Sequence, residues 1–140
     1  MITAAQKNSS TDMVPITEAL FESNLSGLKL LARGKVRDIY GLDKERLLII
    51  TSDRLSAFDV VLPDPIPGKG EVLTAISNFW FDLLEPIIPN HLTHTDPAEH
   101  LVNAEDQIRM QNRAVVVKRL RPLPVEAVVR GYLIGSGWKD

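Results

Sequence analysis

Length, composition and charge exclude several classes of protein. The 140 residues suit a single domain, and a composition of 44% hydrophobic and 24% charged residues excludes a chain that is disordered throughout. The net charge of −2 argues against a dedicated nucleic-acid-binding protein, because such proteins usually carry an excess of basic residues. The sequence has no cysteine, which excludes a disulfide framework, a thiolate nucleophile and a cysteine-ligated zinc site.

The sequence also predicts where the protein is found. No apolar run approaches the roughly 20 residues that a membrane-spanning helix needs. The first residues, MITAAQKNSS, lack the apolar stretch of a secretory signal, and the absence of cysteine fits a reducing compartment. We therefore expect a cytoplasmic protein that binds neither membranes nor nucleic acid, while its oligomeric state stays open.

The first half of the chain predicts an arm, a helix and a series of strands. Residues 1–15 are small and polar and predict a disordered arm, followed by one domain over residues 16–140. Residues 16–25 predict a short helix, capped by Thr17 and docked by Leu20 and Phe21. Short apolar runs separated by turn residues predict antiparallel strands at residues 28–32, 36–40, 47–51 and 57–62.

The second half predicts a long helix between strands. Three alternating prolines at residues 63–67 predict a rigid connector. Residues 71–85 predict a helix that Pro86 ends, and its apolar side is expected to face the core: Leu73, Ile76, Phe79, Trp80, Phe81, Leu83 and Leu84. Asp96 and Pro97 predict a helix start, and residues 114–120 and 125–133 predict two more strands. The expected fold class is α+β, an antiparallel sheet with packed helices.

Residues 33–38 combine a glycine with several cations in a turn between two predicted strands. Gly34 allows backbone N–H groups to face an anion, and Lys35 can reach a phosphate as a point charge. An ordinary hairpin with a solvated basic rim explains the same residues. Both interpretations stay open on this segment alone.

Two further segments predict contacts with charged ligands. Asp59 lies among apolar residues and needs a partner, which is either structural, from Arg37 or Arg54, or a substrate amine. The run Gly68-Lys69-Gly70 precedes the long helix and predicts an anion site made by exposed N–H groups and the helix dipole. It does not match the spacing of a Walker A loop, and the dinucleotide-binding glycine pattern is absent too.

Residues 123–136 hold opposite charges on one face of a predicted strand. Glu126 and Arg130 would lie about 13 Å apart along it, which suggests that this face lines a cleft. Arg130 suits bidentate binding of a carboxylate or phosphate, and Ser136 offers a hydroxyl to a second anion. The alternative is a surface ion pair with a flexible loop. The three histidines, His91, His94 and His100, are interpreted as surface residues rather than metal ligands.

Taken together, four stretches of this sequence resemble the SAICAR synthetase family of de novo purine biosynthesis. They are residues 34–40, 52–59, 67–77 and 123–138, in the family's order, and the run from Pro124 to Arg130 with the later Gly-Ser pair is the most specific. The resemblance implies an ATP- and magnesium-dependent ligase. Such an enzyme joins L-aspartate to the carboxylate of an imidazole ribonucleotide, through an acyl phosphate, to give SAICAR, ADP and phosphate.

The resemblance also implies roles for individual residues. The glycine-containing loop over the ATP phosphates falls on Gly34, Lys35, Val36 and Arg37. Lys118 would reach toward the phosphates as the strand lysine does in a kinase-like N-terminal lobe, and Arg121 and Leu123 would lie in the hinge beside adenine. Glu126 would order the nucleotide or metal site. The remaining predicted residues would contact the substrates: Arg130, Ser136, Ser56, Asp59 and Lys69.

The family's second signature, an Asp-x-Lys-x-Glu-Phe-Gly segment that supplies magnesium ligands, does not occur in these residues. No metal ligand is therefore assigned here. We expect the sequence to be the N-terminal, ATP-binding part of a longer enzyme, with little synthetase activity by itself. The alternatives are another carboxylate ligase of the ATP-grasp or kinase-like type and a non-catalytic nucleotide-binding fragment.

Overall fold

The computed structural model describes residues 18–125 and 127–138. Its main feature is a four-stranded antiparallel sheet with the strand order β1-β2-β3-β6. The strands of this sheet are β1 (Lys29–Arg33), β2 (Arg37–Gly41), β3 (Arg46–Thr51) and β6 (Ala114–Lys118). The remaining elements are a small hairpin of β4 (Ser56–Ala57) and β5 (Val60–Val61), helices α1 (Lys69–Leu84) and α2 (Ala104–Met110), and 3₁₀ helices at Pro97–His100 and Gly135–Trp138. The predicted α+β class is confirmed.

The core lies on one face of the sheet. Tyr40, Leu48 and Val116 are neighbours across three strands in this register, and each is at most 2% exposed. In each strand the residues next to them in sequence face the other side of the sheet, as the two-residue period of a strand requires. Four apolar side chains from outside the sheet complete this core: Leu20, Leu25, Leu101 and Met110.

The predicted strands at residues 28–32, 36–40 and 47–51 are confirmed to within one residue at each end. The predicted strand at residues 57–62 is wrong. There the chain folds back as the β4–β5 hairpin, and its two central residues, Phe58 and Asp59, have positive φ angles of 49° and 66°. Two consecutive positive φ angles match the tight turn that suits the twist of a two-residue hairpin loop.

The helix predicted at residues 16–25 is also wrong over its described part. Residues 18–25 form no helix, because their backbone groups bind buried side chains instead of one another. The Leu20 N–H donates to Asp53 Oδ2 at 2.8 Å, and the Ser23 N–H donates to Asp38 Oδ2 at 2.9 Å. Leu20 is buried as expected. Thr17 and the predicted arm lie outside the described residues.

Helix α1 begins two residues earlier than predicted, and its orientation differs from the prediction. Its buried residues are Gly70 and Thr74, whereas the side expected to face the core is largely exposed, apart from the partly buried Phe81. Leu73, Ile76 and Trp80 are 43%, 50% and 53% exposed. The physical reason is the docking of the helix start: Thr74 Oγ1 hydrogen-bonds Thr51 Oγ1 at 3.1 Å, so the small and polar side packs on the end of β3.

The predicted second late strand, residues 125–133, is not a strand in its described part. Val129 is 97% exposed and Leu133 is 74% exposed, and within the described ranges no strand pairs with them. Helix α2 was not predicted. The expected start at Asp96 is confirmed as a 3₁₀ helix, whose cap is the Asp96 side chain accepting from the Ala98 N–H. No helix in the described part of the chain is long and apolar enough to cross a membrane.

Candidate functional site

The turn between β1 and β2 carries the predicted phosphate-binding residues. It comprises residues 34–36, and the Gly34 N–H donates to the Arg37 carbonyl at 2.7 Å to close it. Gly34 and Lys35 are exposed, and Val36 is partly buried. The turn therefore presents its glycine and its lysine to solvent at one end of the sheet.

Buried groups from the segment after β3 bind the carbonyl groups of this turn. Arg54 donates from Nε to the Lys35 carbonyl and from a terminal nitrogen to the Gly34 carbonyl, both at 3.0 Å. Ser52 donates both its N–H, at 3.0 Å, and its hydroxyl, at 2.9 Å, to the Val36 carbonyl. The carbonyl oxygens of all three turn residues therefore accept hydrogen bonds from the interior of the protein.

A buried carboxylate holds Arg54 in place. Asp38 is fully buried and accepts from Arg54 at 2.7 Å and from the hydroxyl of Ser23 at 2.7 Å. Burial alone would raise the pKa of Asp38, but the hydrogen bonds from Arg54 and Ser23 outweigh it and hold that pKa below its ordinary value. Asp38 is therefore a carboxylate at neutral pH, and it balances the charge of Arg54.

Lys35 and Asp59, both predicted site residues, lie together. Their side chains form an ion pair of 2.5 Å between the glycine turn and the tip of the β4–β5 hairpin. The side chains are 54% and 88% exposed, and the hydrogen bond from Lys35 and its charge lower the pKa of Asp59. The predicted structural partners were Arg37 and Arg54. That prediction is wrong for Arg54, which points inward to Asp38.

The predicted anion site at the start of α1 is corrected by the structure. The Gly70 N–H donates to Asp53 Oδ1 at 2.7 Å, so a carboxylate of the protein already binds this helix terminus. Asp53 is fully buried and pairs with Arg113 at 2.9 Å. Lys69 is the first residue of α1 and is partly buried.

A cavity of about 130 Å³ lies between α1 and the sheet. Arg37 lines it, together with Thr51, Thr74, Ser77 and His91. The interpretation of His91 as a surface histidine is therefore wrong. Its ring meets Phe81 edge to face at 4.9 Å, and burial, with the nearby charges of Arg37 and Lys118, lowers its pKa.

The other two histidines differ from His91. His94 is exposed and lies 3.5 Å from Glu85. His100 closes the 3₁₀ helix Pro97–His100, and its Nε2 is buried without a hydrogen-bond partner. The local sequence does not show which of the three histidines is buried. His91 is partly buried because it packs against Phe81 of α1, ten residues earlier in the chain.

Lys118 lies at the other end of the sheet from the glycine turn. In the strand register Arg37 lies opposite Thr51 at one end of β3, whereas Lys118 lies opposite Arg46 at the other end. Five residues of extended strand separate the two levels, which is about 17 Å. The Lys118 ammonium donates to the Asn90 carbonyl at 3.3 Å. In this register Lys118 shares the face of Val116 rather than that of Arg37. At the end of β6 it also lines a hollow with Phe81 and Leu84 of α1.

The other predicted residues follow β6 or lie in the small hairpin. Arg121 and Leu123 are exposed and outside regular structure, and Glu126 lies outside the described residues. Ser136 belongs to the 3₁₀ helix Gly135–Trp138. Arg130 packs against this helix, since a Cβ built on Gly137 would lie 3.5 Å from its Cδ and Nε atoms. Ser56 is partly buried in β4, paired with Val61.

The described residues do not fit a magnesium site. Over residues 18–125 and 127–138, no group of three or more His, Asp or Glu side chains converges as ligands of a metal ion would. The acidic side chains nearest the glycine turn, Asp38 and Asp59, are already paired with cations of the protein. We therefore assign no chemical step to magnesium.

Comparison with known proteins gives concordant results. The family model described as SAICAR synthetase matches residues 30–140. A phosphoribosylaminoimidazole-succinocarboxamide synthase of Dechloromonas aromatica is 63% identical over 125 residues, which is 89% of this chain and 40% of the relative. The same-named protein of an Azoarcus species is 65% identical over 121 residues, 86% of this chain and 39% of the relative.

A solved structure titled SAICAR-synthase from Saccharomyces cerevisiae complexed SAICAR aligns with a TM-score of 0.79 and 38% identity. The alignment covers 86% of this chain and 44% of that one. The chain thus spans about two fifths of the length of the relatives that it matches. The family match extends over most of the described sheet, the glycine turn and the segment with Arg130 and Ser136. The chain belongs to the SAICAR synthetase family.

Proposed function

We propose that this chain forms the ATP-binding part of an enzyme that joins L-aspartate to the carboxylate of carboxyaminoimidazole ribonucleotide, giving SAICAR, ADP and phosphate. The observation that carries the proposal is the family match over residues 30–140, which includes the glycine turn. The yeast SAICAR synthase of similar fold, solved in complex with SAICAR, supports the substrate class.

The proposed reaction asks for positioning and charge neutralisation. The γ-phosphate of ATP is transferred to the imidazole carboxylate, which leaves ADP and an acyl phosphate. The amine of L-aspartate then attacks the acyl carbon, so that a C–N bond forms, the C–O bond to phosphate breaks and the amine loses a proton. A protein accelerates such steps mainly by holding the reactants together and by stabilising negative charge.

The glycine turn is proposed to cover the phosphates. Lys35 and Val36 would provide backbone N–H groups, and Lys35 and Arg37 would provide cations. Gly34, whose own N–H donates to the Arg37 carbonyl, would let the phosphates approach the backbone closely. The hydrogen bonds to the carbonyl oxygens of the turn keep it in one conformation. A phosphate that binds Lys35 would compete with Asp59, which pairs with it in the structure. Asp59 would then be available to accept a hydrogen bond from the amine of L-aspartate.

Nucleotide binding is proposed to extend along the strands. The turn and Lys118 lie at opposite ends of the sheet, on levels about 17 Å apart. Lys118 would contact the nucleotide from the end where β6 stops. Arg121 and Leu123, which follow it, would form the hinge beside adenine, and Glu126 would order the nucleotide or the metal site.

The imidazole ribonucleotide is proposed to bind at Arg130 and Ser136. A guanidinium group binds a phosphate or carboxylate through two parallel hydrogen bonds. The packing of Arg130 against Gly137 supports this pairing, because it brings the arginine to the short helix that contains Ser136. Ser56, Asp59 and Lys69 are proposed to contact the substrates from the opposite side, near the glycine turn.

Magnesium is proposed as a cofactor that other parts of a family-length enzyme bind, since the described residues do not fit it. It would neutralise phosphate charge when bound. The proposed location is the cytoplasm, and the proposed partners are small molecules rather than nucleic acid or membranes.

A chimera tests the proposed function. The 140-residue chain replaces the matching 40% of the Dechloromonas aromatica relative, and the purified chimera is assayed for SAICAR formation from ATP, L-aspartate and the imidazole ribonucleotide. We expect product from the chimera and little or none from the 140-residue chain alone. A folded chimera that binds ATP but forms no product when all three substrates are present would contradict the proposal.

Exchanging the amine tests the alternative ligase. Product formation with other amino acids at the same rate as with L-aspartate would favour a ligase of different specificity. ATP binding by a chimera that turns over no carboxylate would favour a non-catalytic nucleotide-binding fragment. The family match does not favour either alternative.

A further inference from the structure

Arg54 is a buried cation without a role in the function proposed above. It is 2% exposed, and its guanidinium donates to three backbone carbonyls, those of Phe21, Gly34 and Lys35, as well as to the carboxylate of Asp38. The ring of Phe21 lies 6.0 Å from the guanidinium carbon, within the range of a cation–π contact. All of these contacts are made inside the protein, so Arg54 is not available to a ligand.

The fork shape of the guanidinium decides which contacts are possible. Two of its nitrogens bind adjacent carbonyls of the glycine turn, and one of these two also binds Asp38. A lysine carries a single ammonium on a flexible stem and does not reproduce a planar array of this kind. The carbonyls of residues 34 and 35 would then lack donors in a site from which water is largely excluded.

We propose that Arg54 is a positioning residue for the phosphates of ATP, acting through the glycine turn. The carbonyl oxygens of Gly34 and Lys35 are held inward and the Gly34 N–H is bound to the Arg37 carbonyl. The N–H groups of Lys35 and Val36 and the Lys35 side chain are thereby left to meet a phosphate. Asp38 holds Arg54 in place through their ion pair, and Asp38 also binds Ser23. This inference rests on the proposed function, because it requires that the turn binds phosphates.

Arg113 provides a matched control. It is also 2% exposed, and it pairs with the fully buried Asp53 at 2.9 Å and with Glu71 at 2.6 Å. Its side chain holds the start of α1 and donates to Asp53 and Glu71 rather than to the glycine turn. Arg54→Lys and Arg113→Lys therefore disturb buried ion pairs of the same kind at different places.

The experiment compares both variants with the unchanged 140-residue chain. The first measurement is tryptic cleavage of the folded protein after Lys35, followed by mass spectrometry, which reports how firmly the turn is held. The second is the dissociation constant of ATP and of adenosine, from calorimetric titration. Thermal unfolding of each variant shows how much of the protein is folded at the temperature used.

We expect Arg54→Lys to increase cleavage after Lys35 and to weaken ATP binding about tenfold, while adenosine binding stays unchanged. Arg113→Lys should lower the unfolding temperature without either effect. Equal losses of ATP and adenosine binding, or an unchanged ATP affinity in Arg54→Lys, would overturn the inference and leave the proposed function standing. If the unchanged chain binds adenosine but gains nothing from the phosphates of ATP, the phosphate role of the turn fails, and this inference fails with it.

If a variant does not fold, Asp38→Glu replaces Arg54→Lys in the same measurements. It keeps the carboxylate charge but lengthens the side chain by one methylene group, which disturbs the geometry of its pair with Arg54. The inference expects the same selective loss of ATP affinity, smaller in size, and an affinity equal to that of the unchanged chain would overturn it.

Discussion

The glycine-turn end of the sheet buries charged residues, whereas the segment after β6 exposes apolar ones. At the glycine-turn end, Asp38, Asp53, Arg54 and Arg113 are at most 2% exposed, and each is paired. After β6, apolar residues such as Val129 and Leu133 are 97% and 74% exposed. The comparison shows that burial here follows from tertiary partners rather than from the polarity of the residue.

The charged cluster also joins segments that are distant in sequence. Asp53 receives hydrogen bonds from Leu20, from Gly70 and from Arg113, which come from the N-terminal segment, from α1 and from the start of β6. Such a cluster resists the removal of any member, because a buried charge without its partner is strongly unfavourable. The largest expected effects therefore lie there.

Replacing the central carboxylate should give the largest effect. Asp38→Ala leaves the charge of Arg54 buried without its partner, and we expect a loss of about 3–5 kcal/mol in the free energy of unfolding. Val129→Ser, in the exposed segment, is the control and should change it by less than about 0.5 kcal/mol. Urea unfolding measures both. Similar losses in the two variants would remove the distinction between the regions.

The close contact at the start of α1 predicts the next effect. A Cβ on Gly70 would lie 2.3 Å from the Thr51 carbonyl oxygen, so Gly70→Ala has to displace the helix from β3. We expect a loss of about 3 kcal/mol by urea unfolding. Gly68→Ala is the matched control, since it has open space around it and strains only a φ of +77°, for about 1 kcal/mol. A smaller loss for Gly70→Ala than for Gly68→Ala would contradict this packing.

A single hydroxyl sharpens the comparison further. The Tyr40 hydroxyl donates to the Ser23 carbonyl at 2.8 Å, and the ring is 2% exposed. Tyr40→Phe removes this hydrogen bond and the acceptor of the Leu25 N–H, while Arg33 still donates to the Ser23 carbonyl. It should lower the free energy of unfolding by about 1–2 kcal/mol. Tyr132→Phe removes the same atom from a residue that is 81% exposed and should leave stability unchanged. Equal effects would show that burial does not decide the outcome.

The smallest expected effect depends on pH. Burial, with Arg37 and Lys118, lowers the pKa of His91 in the folded protein, so the unfolded chain binds the proton more tightly. Stability from this residue is present above about pH 6.5 and is lost as the pH falls toward the lower pKa of the folded state. His91→Leu should reduce the drop in unfolding temperature between pH 7 and 5. A drop as large as that of the unchanged chain would show that His91 is not responsible.

The sequence predicts the parts of this fold that depend on neighbouring residues. The strands at residues 28–32, 36–40 and 47–51 are each set off by turn residues, and the structure confirms them. The orientation of α1 depends on the close contact between Gly70 and the carbonyl of Thr51. The spacing of apolar residues along the helix does not predict this contact. The apolar stripe of that helix predicts a buried face, and only the docking of the helix start shows that it points outward.

The candidate site divides in the same way. Gly34 and Lys35 were predicted from their residue types in a turn, and the structure places them there. The pairing of Lys35 with Asp59 and the support of the turn by Arg54 were not predicted, because 24 and 19 residues separate the partners. His91 was missed because its packing against Phe81 depends on how α1 folds onto the sheet.

The most direct test of the account is whether ATP covers Lys35. Acetic anhydride acetylates exposed lysines, and mass spectrometry of the chimera with and without ATP gives the rate at each position. We expect ATP to slow acetylation of Lys35 and to leave that of Lys44, an exposed lysine in the turn between β2 and β3, unchanged. Equal rates at Lys35 with and without saturating ATP would contradict the assignment of the glycine turn to the phosphates.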